Sequence, residues 1–355
     1  MKVFADLHHF DLFHSFQLLF EDRLGWDLYR PIGYPWRDEG YWSLHYVPLI
    51  QEGYLGHSIK EKLAEYDTFK DPEWSRHALE LLKLGESKEL ADGYWRIRDE
   101  SKDRYQKAIT LEAFKETKFD IIISSVPWHF PLYEKLRQKY QPQAKHIFQA
   151  GNAWEPPEGC KNMMFSSPPP NLPSGMNTVE YHQEFNLDTF GFNPHAINKR
   201  VNAYAHFPES EDLMNQVAKH LPDYLFGFTG SHLGPTKDII IESSKLAEHI
   251  GNNTFTWHIK PRGEGYGHIL HNSFAVGTPV ITDMRDYNDF CGKKLLVDGV
   301  TCIDVSNKSP DAIAQEIMRM SIDLATRQNV YSQFKDVVDF DKEFETIKLF
   351  LEKLQ

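Results

Sequence analysis

The chain predicts an α/β protein of two successive domains, each built on a parallel sheet. Three observations carry this. Short apolar runs alternate with amphipathic stretches in both halves of the sequence. One of those runs, FDIIISSV at 119–126, reads by composition as a buried parallel strand covered on both faces. The length of 355 residues fits two domains better than one.

Taken in order, residues 2–8 read as a strand. A helix follows from Ser15 to Leu24, with Phe16, Leu19, Phe20 and Leu24 on one face. Gly25 ends it, and 26–32 (WDLYRPI) reads as a second strand, completing a βαβ unit. Alternation then lapses. The aromatic stretch YRPIGYPWRDEGYW (29–42) leads into charged, helix-like sequence, and 33–117 reads as a helical, aromatic-rich insertion in the first domain. Strands resume at 119–126, 145–150, 162–166 and 178–182, with a helix at 131–140 and a proline-rich loop at 167–173. A second series has strands at 201–207, 224–229, 254–259, 278–283 and 301–305. Its helices are expected near 210–220, 237–250, 268–275 and 311–323. The expected division is a Rossmann-like first domain over 1–190, a Rossmann-like second domain over 191–340, and a terminal helix over 341–355.

The bulk composition excludes several function classes. A formal net charge of −12 argues against a broad nucleic-acid-binding surface or a grip on anionic membrane, since both need clustered Lys and Arg. Cys160, Cys291 and Cys302 are too few, and too irregularly spaced, for a metal knuckle or a disulfide framework. The opening MKVFADLHHF lacks the apolar core of a signal peptide, and no apolar run approaches the length of a membrane span. A soluble, cytoplasmic chain is expected.

The stretch from Lys260 to Asp283, KPRGEGYGHILHNSFAVGTPVITD, is the most informative. A strand ends near Ile259. Gly263, Gly265 and Gly267 make a loop whose backbone can approach a ligand closely, and a short helix starts at His268 with Leu270 and Phe274 on its buried face. Strand, glycine loop and helix N-terminus form an anion-binding arrangement, because free N–H groups and the helix dipole meet at the loop. A diphosphate suits it, and Lys260 and Arg262 flank the same loop.

This segment resembles the signature of retaining GT-B glycosyltransferases. In that family a Glu followed by Gly-aromatic-Gly meets the donor sugar, a second acid eight positions on holds the ribose, and a small-residue turn follows. Glu264, Gly265, Tyr266, Gly267, Gly277, Thr278, Pro279 and Val280 fall in place; the second acid is replaced by Asn272. An amide there hydrogen-bonds a ribose diol without charge assistance. The resemblance implies two Rossmann-like domains facing across a cleft, a tail helix crossing back to the first domain, and a nucleotide-sugar donor, with UDP the commonest nucleotide. It implies retention at the anomeric carbon. The donor-binding set it suggests is Lys260, Arg262, Gly265, Tyr266, Gly267, His268, Asn272 and Ser273, with Gly230 after an earlier strand. Glu264 orients the sugar. A His at a first-domain strand end would touch the donor, for which His129 matches by place, and His9 of the His8–His9 pair is a second candidate.

Ligands of open α/β sheets sit beyond the carboxyl ends of strands. Asp11, His14, Trp128, Asn152, Trp154, Gln183 and Glu184 hold such positions in the first half, and His206, Ser231 and His232 in the second. Two other readings stay open. Asp6, His8 and His9 loosely suggest a metal-dependent hydrolase, which would need further ligands such as His129, His182, His206 or His232. A non-catalytic nucleotide-sugar-binding protein would carry the same loop. Asp339-Phe340-Asp341 is read as helix-start acids, not as a metal motif, so no metal is expected. The aromatic cluster at 29–42 suits a stacked acceptor, and a saccharide, lipid, protein or modified nucleobase all remain open.

Overall fold

A computed structural model of the chain describes residues 1–7, 10–31, 107–109, 111–125, 127, 130–195, 198–204, 207–229, 240, 243–260, 265–287, 291–320 and 324–354. Two units emerge. Met1–Phe165, Pro169–Glu184 and Phe344–Gln355 form the first; Ser166–Pro168 and Phe185–Glu343 form the second.

In the first unit, β1 (Lys2–Asp6), β2 (Asp27–Pro31), β3 (Lys107–Ile109), β4 (Ile121–Ser124), β5 (Lys145–Ala150), β6 (Asn162–Phe165) and β7 (Asn177–Glu180) make one sheet. Their order is β3-β2-β1-β4-β5-β6-β7, with every pairing parallel. This is the doubly wound order, and it reverses direction between β1 and β4. Alternate residues serve the two faces. Val3, Ala5, Ile121, Ile123, Ile147, Met164 and Val179 share a core with Leu12, Phe13 and Phe16 of α1 (Phe10–Gln17). That core also takes Ile347, Phe350 and Leu351 of the last helix, and Leu354 just beyond it. On the other face the Phe4 ring meets Phe114 of α2 (Leu111–Glu116) and Tyr133 of α3 (Phe130–Tyr140) at 4.8 and 5.6 Å.

The second unit has β8 (Asn198–Ala203), β9 (Leu225–Phe228), β10 (Asn253–Trp257), β11 (Val280–Thr282) and β12 (Cys302–Asp304), in the order β12-β11-β10-β8-β9 and parallel throughout. The direction of winding reverses between β10 and β8. One face packs on α4 (Pro208–Ala218) and α7 (Pro310–Arg319) through Val201, Phe255, Trp257, Met214, Val217, Ile313 and Ile317. The opposite face packs on α5 (Ser243–Gly251), α6 (His268–Ala275) and α8 (Leu324–Val337), where Ile250, Leu270, Phe274, Val330 and Phe334 meet Val280. Phe340, the first residue of α9 (Phe340–Glu352), joins this core. The Asp339 carboxylate caps α9 by accepting from the Lys342 N–H at 3.0 Å, the helix-start role its sequence suggested.

The structure departs from the sequence reading in three places. The stretch expected as an insertion, 33–117, ends inside the sheet, because β3 and α2 belong to the parallel core. The first helix begins at Phe10, not Ser15, and closes in a π-helical turn, Leu18–Arg23, so its opening turn takes up residues that were expected to follow the strand without helical structure. Helix α8 was not foreseen. A cation, Arg327, occupies one of its buried positions, which removes an apolar residue from the pattern that marks a helix face.

Arg327 is buried, and it organises this unit. Its guanidinium donates to the carbonyls of Asn193 (2.6 Å), Gly251 (2.9 Å), Val276 (3.2 Å) and Asn253 (3.3 Å), and to the Thr278 hydroxyl (3.2 Å). Gly251 ends α5 and Val276 caps α6, so two negative helix ends meet the charge. Burial lowers the Arg327 pKa to about 10. Replacing Arg327 with Leu strands these buried carbonyls and is expected to cost about 3 kcal/mol or more of stability. Lys, which lacks the planar fork, recovers only part of that loss; urea denaturation of both variants measures the difference.

Candidate functional site

In the second unit, β10 lies at the point where the sheet order reverses, and the chain leaves its carboxyl end towards α6. His258, Ile259 and Lys260 extend the strand line, with Lys260 half-buried. Arg262, Gly263 and Glu264 lie outside the described residues, as do His8, His9, His129, His206, Gly230, Ser231 and His232. The described part of the loop is Gly265, Tyr266 and Gly267, all buried.

Gly267 is the N-cap of α6, with φ 76° and ψ 68° in the left-handed region, and as a glycine it makes no side-chain cap of its own. A side chain at this φ would be strained, so glycine lets the loop turn directly into the helix. The carbonyl of Gly267 accepts from both the backbone N–H and Nδ1 of His271, at 3.1 and 3.0 Å. The Tyr266 ring stacks on His271 with centroids 3.9 Å apart and meets His268 edge-on at 5.0 Å. Tyr266 is thus packed against its own helix. The preceding carbonyls are also held: Gly265 O accepts from the Ser167 hydroxyl at 2.8 Å, and Cys291 Sγ lies 3.9 Å from Gly265 O and 3.8 Å from Tyr266 O.

At its other end α6 closes in a Schellman turn: Thr278 N–H donates to Ser273 O at 2.7 Å and Gly277 N–H to Phe274 O at 3.0 Å. Gly277 has φ 79°, and a Cβ there would come within 2.8 Å of the Phe192 ring. The Gly-Thr-Pro signature is therefore the stop signal of α6, while Thr278 Oγ1 donates to Ile250 O of α5 at 3.0 Å.

Two proposed ligand residues fare differently. Asn272 is buried on α6, and its Oδ1 has no hydrogen-bond partner among the described residues. An unsatisfied acceptor costs stability unless something else reaches it. The Ser273 hydroxyl donates to Ile269 O at 2.7 Å and pairs with the Thr256 hydroxyl of β10 at 2.9 Å, with no exposed surface. It ties the helix to the sheet. Glu184, a candidate by position in the first unit, forms a paired hydrogen bond with Arg23 at 2.6 and 3.0 Å, which holds the π-helical turn. Among the described residues, no group of three His, Cys, Asp or Glu side chains is placed to hold a metal. The cysteines are free thiols, and burial pushes Cys160 to about 11 and Cys302 to about 12.

The first unit holds an arrangement that the sequence did not signal. Ser124 Oγ lies 3.1 Å from His146 Nε2, His146 Nδ1 lies 3.1 Å from Glu134 Oε2, and Arg137 pairs with Glu134 at 2.6 Å. The order of hydroxyl, imidazole and carboxylate matches a nucleophilic triad. Ser124, however, has 0% of its surface exposed and His146 6%, with the imidazole stacked on Phe130 at 4.1 Å. No substrate reaches this hydroxyl; the trio fastens α3 to β4 and β5.

Comparison with family models finds no match, and no curated protein matches the chain. Among solved structures, Anabaena HepE, in complex with UDP and glucose, aligns over 99% of each chain with a TM-score of 0.59 and 9% identity. Sucrose-phosphate synthase from Thermosynechococcus elongatus aligns over 99% of this chain and 98% of its own, with a TM-score of 0.59 and 13% identity. A glycosyltransferase from Rickettsia africae ESF-5 gives 0.59 and 13%, over 100% of this chain and 98% of its own. At these identities the likeness is one of fold: the two Rossmann-like domains are those of the GT-B architecture.

The Ser124–His146–Glu134 trio carries a pH dependence. Burial lowers the His146 pKa below 6.5, although Glu134 pulls it upward. Hydrogen bonds from His146 and Arg137 hold the Glu134 carboxyl well below the usual carboxylate range. His146 is neutral, donating from Nδ1 to Glu134 and accepting from Ser124. The unfolded chain therefore takes up this proton first, so stability is full above pH 6.5 and falls as the pH drops through it. The slope is at most about 1.4 kcal/mol per pH unit. His146→Gln is expected to flatten this part of a stability–pH curve measured by urea denaturation; an unchanged curve would contradict the assignment.

Proposed function

We propose that this chain is a glycosyltransferase that takes its sugar from a nucleotide-sugar donor, with a UDP-sugar the first choice. One observation carries the reading. At the reversal point of the second sheet, a loop that ends in the left-handed Gly267 opens directly into the N-terminus of α6, and Gly267, its N-cap, has no side chain to cap it. Such an end suits a diphosphate, because N–H groups and the positive helix pole act together. The structures of like fold include HepE bound to UDP, to UDP-glucose, and to UDP with glucose.

On this reading the second unit binds the donor and the first unit serves the acceptor. The α6 N-terminus, with Lys260 and Arg262, stabilises the departing diphosphate electrostatically, which requires no metal. Glu264 orients the sugar hydroxyls. Asn272 presents its Oδ1 to a ribose hydroxyl, which would satisfy the acceptor that the described residues leave without a partner. His129 and His9 remain the first-unit candidates for contact with the sugar. The Glu-Gly-aromatic-Gly resemblance supports retention at the anomeric carbon.

A thermal-shift panel of nucleotides and nucleotide-sugars tests the donor class. A ligand at a hundred times its Kd should add about 2.7 kcal/mol of stability. No response to any nucleotide would remove the main reading, and binding without transfer or donor hydrolysis would leave a binding protein. Glu264→Gln is expected to lower turnover by about tenfold or more with little change in Tm, as a sugar-orienting acid should. A mere helix cap would instead cost about 1 kcal/mol of stability and leave turnover intact.

A further inference from the structure

Three consecutive peptide groups lead into α6, and each is held by its carbonyl. Gly265 O accepts the Ser167 hydroxyl at 2.8 Å. Cys291 Sγ sits between Gly265 O and Tyr266 O at 3.9 and 3.8 Å. Gly267 O takes two donors from His271. A trans peptide is planar, with its N–H pointing opposite to its C=O. Fixing these carbonyls therefore fixes the N–H groups of Tyr266, Gly267 and His268. The carbonyls of Gly265 and Tyr266 both approach the same sulfur, so the Tyr266 and Gly267 N–H groups turn together to the other side. Successive N–H groups aimed one way around a left-handed residue form a concave anion seat.

We propose that Ser167 and Cys291 are positioning residues of this loop: by holding its carbonyls from behind, they aim the Tyr266 and Gly267 N–H groups at the diphosphate of the donor. The proposal rests on the donor reading above and goes beyond it, since neither side chain touches the ligand. Ser167 is the stronger anchor, because a hydroxyl donates better than a thiol. Both are fully or almost fully buried, so water does not replace them when they are lost. Preorganised donors of this kind bind an anion without the cost of ordering the loop at the moment of binding.

The experiment measures binding of UDP, inorganic pyrophosphate and uridine to wild type, Ser167→Ala, Cys291→Ala and Cys291→Ser by calorimetry. Amide hydrogen exchange across 265–271 is followed in the ligand-free proteins. Ser167→Ala is expected to weaken UDP and pyrophosphate about five- to tenfold while leaving uridine unchanged, and to speed loop exchange. Cys291→Ala should show a smaller loss in the same pattern. Cys291→Ser, which keeps a donor, should bind as wild type does. Unchanged UDP affinity in Ser167→Ala, or an equal loss for uridine, overturns the proposal, the second because it marks a general loosening. If wild type binds pyrophosphate but no UDP, the donor reading fails alone, and the Ser167-dependence of pyrophosphate affinity still decides the anchoring. If wild type binds neither, unchanged loop exchange in Ser167→Ala overturns the anchoring as well, and faster exchange sustains it.

Discussion

The second unit depends on a buried positive charge that, among the described residues, is held by backbone carbonyls and not by a carboxylate. The Arg327 guanidinium is satisfied by backbone carbonyls and one hydroxyl, and two of those carbonyls stand at the C-terminal ends of α5 and α6. A buried charge is tolerated only when its hydrogen bonds are complete and an opposing field is at hand; the helix ends supply both. Helix α6 is thereby held between a cation at its C-terminus and, on the proposed function, an anion at its N-terminus. The same contacts bring together the chain at Asn193, the start of β10 and the Schellman turn. A shift of α6 would disturb all of them at once.

Hydrogen bonds between helix and sheet recur as a means of fixing position. Ser273 and Thr256 join α6 to β10, and Ser124, His146 and Glu134 join β4, β5 and α3. Apolar packing stabilises a helix on a sheet but tolerates sliding; a buried polar pair allows one register, because any other leaves its members unsatisfied. The triad-like trio shows why geometry alone does not make a catalytic site. Distances suited to proton transfer occur here in a place without access, where the same atoms act as a fastener.

Much of the fold was legible from the pattern of residues. The strands around Ile121–Ile123, Lys145–Ala150 and Val280–Thr282 are short, largely buried and bounded by turn formers. Helix α6 was expected over 268–275 and occupies His268–Ala275, because Gly267 and Gly277 mark its two ends by conformations that only glycine adopts freely. Helix α8 was not legible, since the first of its buried residues is an arginine whose partners lie 49 to 134 residues away. Strand β3 was hidden because three residues between charged segments carry too little alternation to stand out.

The sequence by itself determined most of the strands and helices, the glycine loop before α6 and the turn that ends it. Each of these is local: a period of two or near four, a left-handed backbone, a chain-stopping proline. Tertiary structure alone decided what each side chain does. It turned Tyr266 inward onto His271, made Ser273 a tether, left Asn272 Oδ1 without a partner among the described residues, and set Ser167 behind a carbonyl 98 residues further on. Backbone preference acts between neighbours along the chain and leaves a trace in the sequence. A hydrogen bond closed by folding depends on where two distant segments meet, and neither segment records the other.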